Sequence, residues 1–424
     1  MIEAEVAFCH IGQLNTCQSP HGPKKGRQMS DTGEILNATV AVANGRIVYV
    51  GSTTQARHSV SAPNWQDCTG TAMVPGLVDC HTHIVYAGDR AAEFEQRIMG
   101  VSYLEIMAAG GGIMSTTRAV RAASQQHLAQ ASLARCKEMA ALGVTSLEIK
   151  TGYGLTVEDE LKMLRAIEQV AISTSQTIVP TFLGAHAIPA EYKTDPTAYT
   201  RLVVEQMLPA AWQWYTGSVF SEKGIPFYCD VFCEQNAFSL ADARDVLQAA
   251  HKLGFGIKIH SDEFTSMGGI GLGIEMGASS IDHLDAANDG DIAALANSDS
   301  VAVLLPGVNF NLGSAHFARG RDMIDAGCSV ALSTDINPGS CPSPSLPLMM
   351  AIAARYQRLT PNECLNACTI NAAWATGLGK TAGSIEVGKD ADFVLLKRSE
   401  ARFLAYEFGG NPILAVYKHG KQIA

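Results

Sequence analysis

Residues 75–83 read Pro-Gly-Leu-Val-Asp-Cys-His-Thr-His, an apolar run that ends in two histidines. A short apolar run bounded by turn residues predicts a buried strand, and we place this one at Leu77 to His83. Because side chains alternate along a strand, His81 and His83 point to the same face. Two imidazoles on one face can chelate a metal, although such a pair taken alone also fits histidines that are simply buried in a core.

Seven further apolar segments follow, separated mostly by stretches that have the period of a helix: Thr145 to Lys150, Ile178 to His186, Tyr228 to Glu234, Gly256 to His260, Ser280 to Leu284, Val301 to Leu305 and Val330 to Asp335. Eight strand–helix alternations predict an α/β chain with a closed (β/α)8 barrel rather than an open sheet. We expect this barrel to span residues 75–380. The first connection is long and contains glycines at 110–112, so an inserted loop could cover the barrel mouth.

The two ends of the chain have a different pattern, with apolar and polar residues in alternation. Residues 36–51 alternate on both sides of Asn44-Gly45, a dipeptide that favours a type I′ turn and so predicts a β-hairpin. Residues 384–398 and 412–423 have the same alternating character. We therefore predict one small β-sandwich domain made of residues 1–74 together with 381–424.

Histidines gather where barrel enzymes build their sites. Of the twelve histidines, five lie at or next to the carboxyl end of a predicted barrel strand, namely His81, His83, His186, His260 and His283. With Asp335 at the end of the eighth strand, His81, His83 and His260 offer three nitrogens and one oxygen and leave a position for water. This donor set is typical of a catalytic zinc or ferrous site. No lysine ends the fourth strand, YCDVFCE, so a second, lysine-bridged metal is not expected.

Several motifs resemble those of one enzyme family. The stretch at 75–124, from PGLVDCHTH through AGDRAAEF, SYLEI and GGGI, resembles the imidazolonepropionase signature of the amidohydrolase superfamily. The similarity continues through SLEIKTGYGL, TFLGAHAIP, KIHSDEF, SIDHL and TDINPGS, and so covers nearly all of the barrel. One departure is NLGSAHFARGRDMIDAG at 311–327, where the family more usually has a proline-rich stretch with an arginine.

The resemblance implies hydrolysis of the ring amide of 4-imidazolone-5-propanoate to N-formimidoyl-L-glutamate, a step of histidine degradation. One divalent metal is implied at His81, His83, His260 and Asp335, with zinc as the first choice and iron as the alternative. Glu263 lies three residues past His260 and is the candidate general acid/base. His283 is expected beside the metal without being one of its four ligands, and the second oxygen of Asp335 is expected to be free to take a proton.

The substrate carries a carboxylate tail, which calls for a cation at the barrel mouth. The resemblance assigns that role to Arg90, since an arginine in a loop would otherwise be read as a solvated surface group. The further substrate-binding candidates are Tyr103, Tyr153, His186, Glu263, Asn337, Gly339 and Ser340.

Two other interpretations stay open at this point. A cytosine- or guanine-type aminohydrolase would use the same paired histidines, the same His–Glu spacing and the same strand-eight aspartate, but it would need no carboxylate anchor such as Arg90. A non-catalytic relative would be expected to have lost ligands, and all four are present.

Composition and net charge limit the kinds of molecule that the protein is expected to bind. The formal net charge is −10 and no basic tract is present, which argues against nucleic acid or an anionic membrane and favours a small-molecule substrate. The N-terminal residues have acidic groups where a secretion signal would have basic ones. The eleven cysteines include no CxxC pair, which is typical of a reduced, cytoplasmic protein, and Cys229 and Cys233 are expected in the core. The sequence leaves undecided whether two copies of the chain form a homodimer.

Overall fold

A computed structural model describes residues 1–101, 105 and 110–424. Its central feature is a barrel of eight parallel strands in which each strand pairs with the next along the chain. We label these strands β1 to β8; in order they are Leu77–Asp79, Val144–Lys150, Thr177–Ala185, Tyr228–Cys233, Gly256–Ser261, Ser280–His283, Val301–Leu304 and Val330–Leu332. The predicted (β/α)8 barrel is therefore confirmed.

Strands β1 and β8 are shorter at their carboxyl ends than the sequence suggests. They end at Asp79 and Leu332, so His81, His83 and Asp335 lie in the segments that follow. Those segments still join the two strands and close the ring, since Asp335 N donates to the His81 carbonyl and His83 N to the Ile336 carbonyl, each over 3.0 Å. The regular ladder stops because side chains take over its bonds, as where Ser333 Oγ accepts from His81 N.

Helices connect the strands and pack around the barrel. Several begin at capping residues, as where Ser239 Oγ accepts from Asp242 N at the start of the helix after β4. Among the residues that the structure describes, the α-helices after β1 are Ala91–Ile98, Ile113–Ala122, Gln125–Ala141, Val157–Ser173, Pro196–Leu202, Leu208–Thr216, Val219–Glu222, Leu240–Leu253, Gly269–Glu275, Asp289–Ala296, Pro306–Leu312, Gly320–Ala326, Leu346–Ile352, Pro361–Ala367, Ile370–Ala375 and Phe403–Tyr406. Short 3₁₀ turns occupy Gly26–Ser30 and Ala190–Tyr192, and single π turns occupy Val203–Met207 and Ala353–Gln357.

Strands from both ends of the chain form a second sheet, which we call the terminal sheet. Its strands are Val6–Asn15, Glu34–Ala43, Arg46–Ser52, Asn64–Asp67, Ala72–Pro75, Phe393–Leu396, Ile413–Lys418 and Lys421–Gln422. A helix at Thr53–Ser59 and a strand pair, Ile2–Glu3 with Val60–Ser61, complete this region.

The terminal sheet curls over a core of its own. The Gly45 carbonyl accepts from Ala391 N over 2.9 Å and Gly388 N donates to the Ile47 carbonyl over 2.8 Å, so residues from the two chain ends meet across it. The predicted hairpin turn is present, since Asn44 and Gly45 both have positive φ angles, of 50° and 72°. The small sandwich built from both termini is thus confirmed, while its exact limits at 74/75 and 380/381 stay a prediction.

In the described part of the chain, no helix combines the length and apolar character needed to cross a bilayer.

Candidate active site at the barrel mouth

Three histidines and one aspartate converge at the carboxyl end of the barrel. His83 Nε2 lies 3.3 Å from His81 Nε2 and 3.4 Å from His260 Nε2. Asp335 Oδ1 lies 3.5 Å from His81 Nε2 and 3.3 Å from His83 Nε2. All four side chains are buried. The structure thus places the four sequence-predicted ligands around one point.

This donor set fits a divalent cation. Burial lowers the pKa of His81 and of His83 well below the usual range, so both imidazoles are neutral, the form that binds metals. Burial also raises the pKa of Asp335 well above its usual range, although the hydrogen bond from Asn337 and the charge of Lys150 act in the opposite direction. Four atoms that each present a lone pair to the same space need a positive charge between them.

Several residues at the carboxyl ends of the barrel strands have a left-handed backbone conformation. Asp262, His283, Leu284 and Asp335 all have positive φ angles, between 50° and 82°. Residues other than glycine rarely adopt this conformation, and when they do they cluster at functional sites. Each of these four residues follows or ends a barrel strand, so all four lie at the mouth.

Glu263 and His283 lie together beside the ligands. His283 Nδ1 is 3.9 Å from Glu263 Oε2, and the His283 ring centroid is 5.5 Å from that of His81 and 5.2 Å from that of His260. Burial raises the pKa of Glu263 well above its usual range, with the negative charge of Asp335 adding to the effect. A buried carboxyl with a raised pKa is suited to act as a general acid or base.

Arg90 meets the loop that follows β8. It precedes the helix Ala91–Ile98, and its Nε donates to Glu93 Oε2 over 2.8 Å. A Cβ atom added to Gly339 would lie only 2.1 Å from Arg90 Nη1. Glycine at position 339 is therefore required for the guanidinium to lie against this loop, and the loops after β1 and β8 share one wall of the mouth.

Asn337 organises the same loop. Its Oδ1 accepts from the backbone amides of Gly339 and Ser340, each over 2.8 Å, and its Nδ2 donates to Ser340 Oγ over 2.8 Å. Nδ2 also lies 3.2 Å from Asp335 Oδ2. The second oxygen of Asp335, expected to be free, thus accepts a hydrogen bond from Asn337.

Two further predicted substrate-binding residues, His186 and Tyr153, lie beside His83. The His186 ring stacks on that of His83 at 5.0 Å with an interplanar angle of 18°, and the Tyr153 ring lies 5.3 Å from His186. His186 Nδ1 is 3.0 Å from the Gly152 carbonyl, which fixes the ring. Tyr103 lies outside the described residues.

Sequence reasoning missed the charged residues beneath the ligands. Asp282 Oδ2 lies 2.6 Å from His81 Nδ1, and Asp230 Oδ2 lies 2.9 Å from His260 Nδ1, although without hydrogen-bond alignment. Lys150 lies between the two aspartates. The signal was present, since each of these charges stands inside an otherwise apolar strand segment.

A second group of potential metal ligands lies in the terminal sheet, at Cys9, His10 and Asp67. His10 and Asp67 are exposed or half-exposed and form a hydrogen bond of 3.0 Å. The Arg57 guanidinium lies 3.8 Å from Cys9 Sγ, where its charge disfavours a second cation. We assign no function to this group.

Comparison with known proteins agrees with the geometry. The sequence model of the amidohydrolase family matches residues 72–423 of this chain. An imidazolonepropionase of Chloroflexus aggregans is 50% identical over 97% of this chain and 96% of its own length, and one of Herpetosiphon aurantiacus is 47% identical over 100% of this chain and 98% of its own.

Among solved structures, an adenosine deaminase of Xanthomonas campestris with bound zinc has a TM-score of 0.74 at 18% identity, over 99% of this chain and 93% of that one. At this identity the likeness concerns the fold alone. The family match and the two full-length relatives go further, and the chain therefore belongs to the amidohydrolase family and, within it, to the imidazolonepropionase family.

Proposed function

We propose that this chain hydrolyses the ring C–N amide bond of 4-imidazolone-5-propanoate and releases N-formimidoyl-L-glutamate in histidine degradation. The observation that carries the proposal is the convergence of His81, His83, His260 and Asp335 at a barrel mouth that Arg90 also lines. Imidazolonepropionases that are 50% and 47% identical over nearly the whole chain support the same substrate.

We propose His81, His83, His260 and Asp335 as the ligands of one divalent metal. When bound, such a metal would supply a Lewis acid that lowers the pKa of water from about 15.7 towards about 7 and polarises the lactam carbonyl. The N₃O donor set favours zinc, with iron as the alternative.

Glu263 is the proposed proton carrier of the reaction. It takes a proton from the attacking water as the new C–O bond forms, and it delivers a proton to the ring nitrogen as the C–N bond breaks. Atoms balance, because the water adds an OH group to the carbonyl carbon and its other hydrogen to the ring nitrogen. The buried position of Glu263 next to His283 supports this role.

His283 and Asn337 are proposed to hold other groups of the site in place and not to transfer protons themselves. His283 lies between Glu263 and the ligand rings, where its imidazole can hold the carbonyl oxygen as negative charge develops there. Asn337 fixes the loop of Gly339 and Ser340. That loop, together with Tyr153 and His186 beside His83, would enclose the five-membered ring. Tyr103 keeps its proposed role from the resemblance alone.

Arg90 is proposed to bind the propionate tail. Its side chain is 17% exposed, so a carboxylate that reaches it is partly removed from water and gains from a charged partner. Glu93 holds the guanidinium by one edge. We also propose that the enzyme works in the cytoplasm on this small molecule; the buried, unpaired state of all eleven cysteines is compatible with a reducing compartment.

One assay separates this proposal from the alternative deaminase. Purified protein is mixed with 4-imidazolone-5-propanoate, and the loss of imidazolone absorbance is followed together with ammonia. We expect the absorbance to fall with no ammonia in the initial phase. Ammonia released in step with substrate loss would favour an aminohydrolase, and an unchanged absorbance with metal-loaded protein would refute the proposal.

A further inference from the structure

Two lysines are completely buried inside the barrel, below the cluster of ligands. Lys150 ends β2 and Lys258 lies in β5, and both have side chains with 0% exposure. A buried ammonium is costly unless carboxylates surround it. Glu148, Asp230 and Asp282 supply those carboxylates, and all three are also fully buried.

Lys150 holds two aspartates from different strands. Its Nζ lies 2.7 Å from Asp230 Oδ2 and 3.7 Å from Asp282 Oδ2, with Glu148 Oε2 at 3.0 Å. Asp230 belongs to β4 and Asp282 to β6. One ammonium therefore draws together side chains that stand on either side of β5.

The same two carboxylate oxygens also face the ligand imidazoles. Asp282 Oδ2 is 2.6 Å from His81 Nδ1, and Asp230 Oδ2 is 2.9 Å from His260 Nδ1. Asp230 Oδ1 additionally accepts from the backbone amide of His260 over 3.1 Å. Each aspartate thus lies between Lys150 on one side and a ligand on the other.

We propose that Lys150 is a positioning residue of the metal centre, which holds Asp230 and Asp282 so that they orient His260 and His81. Histidines that bind metals usually give their second ring N–H to a carboxylate, which leaves the other nitrogen directed at the metal. Here Asp282 lies in that position toward His81, Asp230 lies 2.9 Å from His260 Nδ1, and both contact one buried cation, so a single side chain supports a ligand from the segment after β1 and a ligand from near the end of β5. This inference rests on the proposed metal site.

Lys258 offers a matched control. It is equally buried, and its Nζ lies 3.1 Å from Glu148 Oε1 and donates to the Cys80 carbonyl over 3.1 Å. Its ion pair is with Glu148 and its hydrogen bond is with backbone, so neither contact is to a carboxylate that faces an imidazole. Lys150→Met and Lys258→Met both remove a buried ammonium, but only the first frees Asp230 and Asp282.

The test measures zinc affinity on the full chain, by competition with a chelator of known affinity, together with the unfolding temperature of the metal-free proteins. We expect Lys150→Met to weaken zinc binding by about 10- to 100-fold. Lys258→Met should lower the unfolding temperature to a similar degree while zinc affinity stays close to that of the parent chain. Equal weakening by both variants, or unchanged affinity in Lys150→Met, would overturn the inference.

A second pair of variants serves if Lys150→Met does not fold. Asp282→Asn keeps the shape of the side chain and removes its charge, and it should also weaken zinc binding by about 10- to 100-fold. Its control is Asp79→Asn, since Asp79 is as buried but accepts from Ser333 and Thr334 instead of an imidazole. Equal zinc affinities in the two variants would overturn the inference.

Failure of the inference and failure of the proposed function give different results. A parent chain that binds no zinc, and no other divalent metal, would remove the proposed metal site. A parent chain that binds zinc with the same affinity as Lys150→Met would leave that site intact and remove only the role of Lys150.

Discussion

The barrel mouth and the terminal sheet differ in how their buried side chains are arranged. In the terminal sheet the rings of Phe8, Phe393 and Tyr417 pack together with centroids 4.8 to 5.0 Å apart. Its buried charge is paired within the sheet, since Lys418 Nζ lies 2.5 Å from Asp392 Oδ2. At the mouth, lone pairs of His81, His83 and Asp335 face one another across 3.3 to 3.5 Å.

The difference shows where stability and function reside. Apolar packing and paired charges favour folding without any ligand, whereas lone pairs that converge on one point cost free energy until a cation binds. Changes at the mouth should therefore affect metal and turnover, and changes in the terminal sheet should affect stability.

Replacing His260 should have the largest effect. His260→Ala removes one of four proposed ligands, so metal content per chain and turnover should both fall below detection. Elemental analysis and the imidazolone absorbance assay measure the two quantities. His251→Ala, an exposed position in the helix Leu240–Leu253, is the control and should match the parent chain. Full activity in His260→Ala would show that the ligand assignment is wrong.

Replacing Glu263 should slow the reaction while the metal stays in place. Glu263→Gln keeps the shape and removes the basicity, and general acid–base catalysis contributes about 10²- to 10⁴-fold. We expect kcat to fall by that order with the metal content unchanged. A rise in KM with kcat intact would instead assign Glu263 to substrate binding.

Replacing Arg90 should have a smaller effect that depends on the substrate. Arg90→Met should lower kcat/KM for 4-imidazolone-5-propanoate by roughly 10- to 100-fold, the value of a charge-assisted pair, and should affect a tail-less imidazolone far less. The control is Arg118→Met, an exposed arginine nearby whose Nη2 donates to the Gly110 carbonyl. Equal slowing of both substrates would mean that Arg90 supports the loop rather than the tail.

Replacing Phe393 should leave turnover unchanged. Phe393→Ala opens a cavity in the terminal sheet and should cost about 3–5 kcal/mol in the free energy of unfolding, while kcat per folded molecule stays at the parent value. Denaturant unfolding and active-site-normalised kinetics check this. Phe408→Ala, at a side chain with 69% exposure, is the control and should change neither quantity. A large loss of kcat in Phe393→Ala would mean that the two regions are coupled.

The sequence predicted the strands well and the mouth less completely. β4 begins at Tyr228 and β6 at Ser280, as the apolar runs indicate, because burial on both faces leaves a plain signal in the residues themselves. The early ends of β1 and β8 were not predicted. They depend on Ser333 bonding across to His81, a contact between positions 252 residues apart.

The charged layer below the ligands shows the same limit. Lys150, Asp230 and Asp282 each stand in an otherwise apolar strand segment. Whether such a charge is paired depends on neighbours from other strands. Alternation along one strand gives the face of a side chain and not its partners across the barrel. The proposed roles of Arg90, Asn337 and Ser340 likewise came from the resemblance. The structure adds the contact of Arg90 with Glu93 and the contacts of Asn337 with Asp335 and Ser340.

The dependence of turnover on metal occupancy tests the central claim most directly. The parent chain is stripped with a chelator and titrated with zinc, and the initial rate on 4-imidazolone-5-propanoate is measured at each metal content. We expect no activity without metal, and a rate that rises in proportion to metal occupancy until it levels off at one metal per chain. Full activity in the metal-free protein, or a rate that continues to rise to two metals per chain, would contradict it.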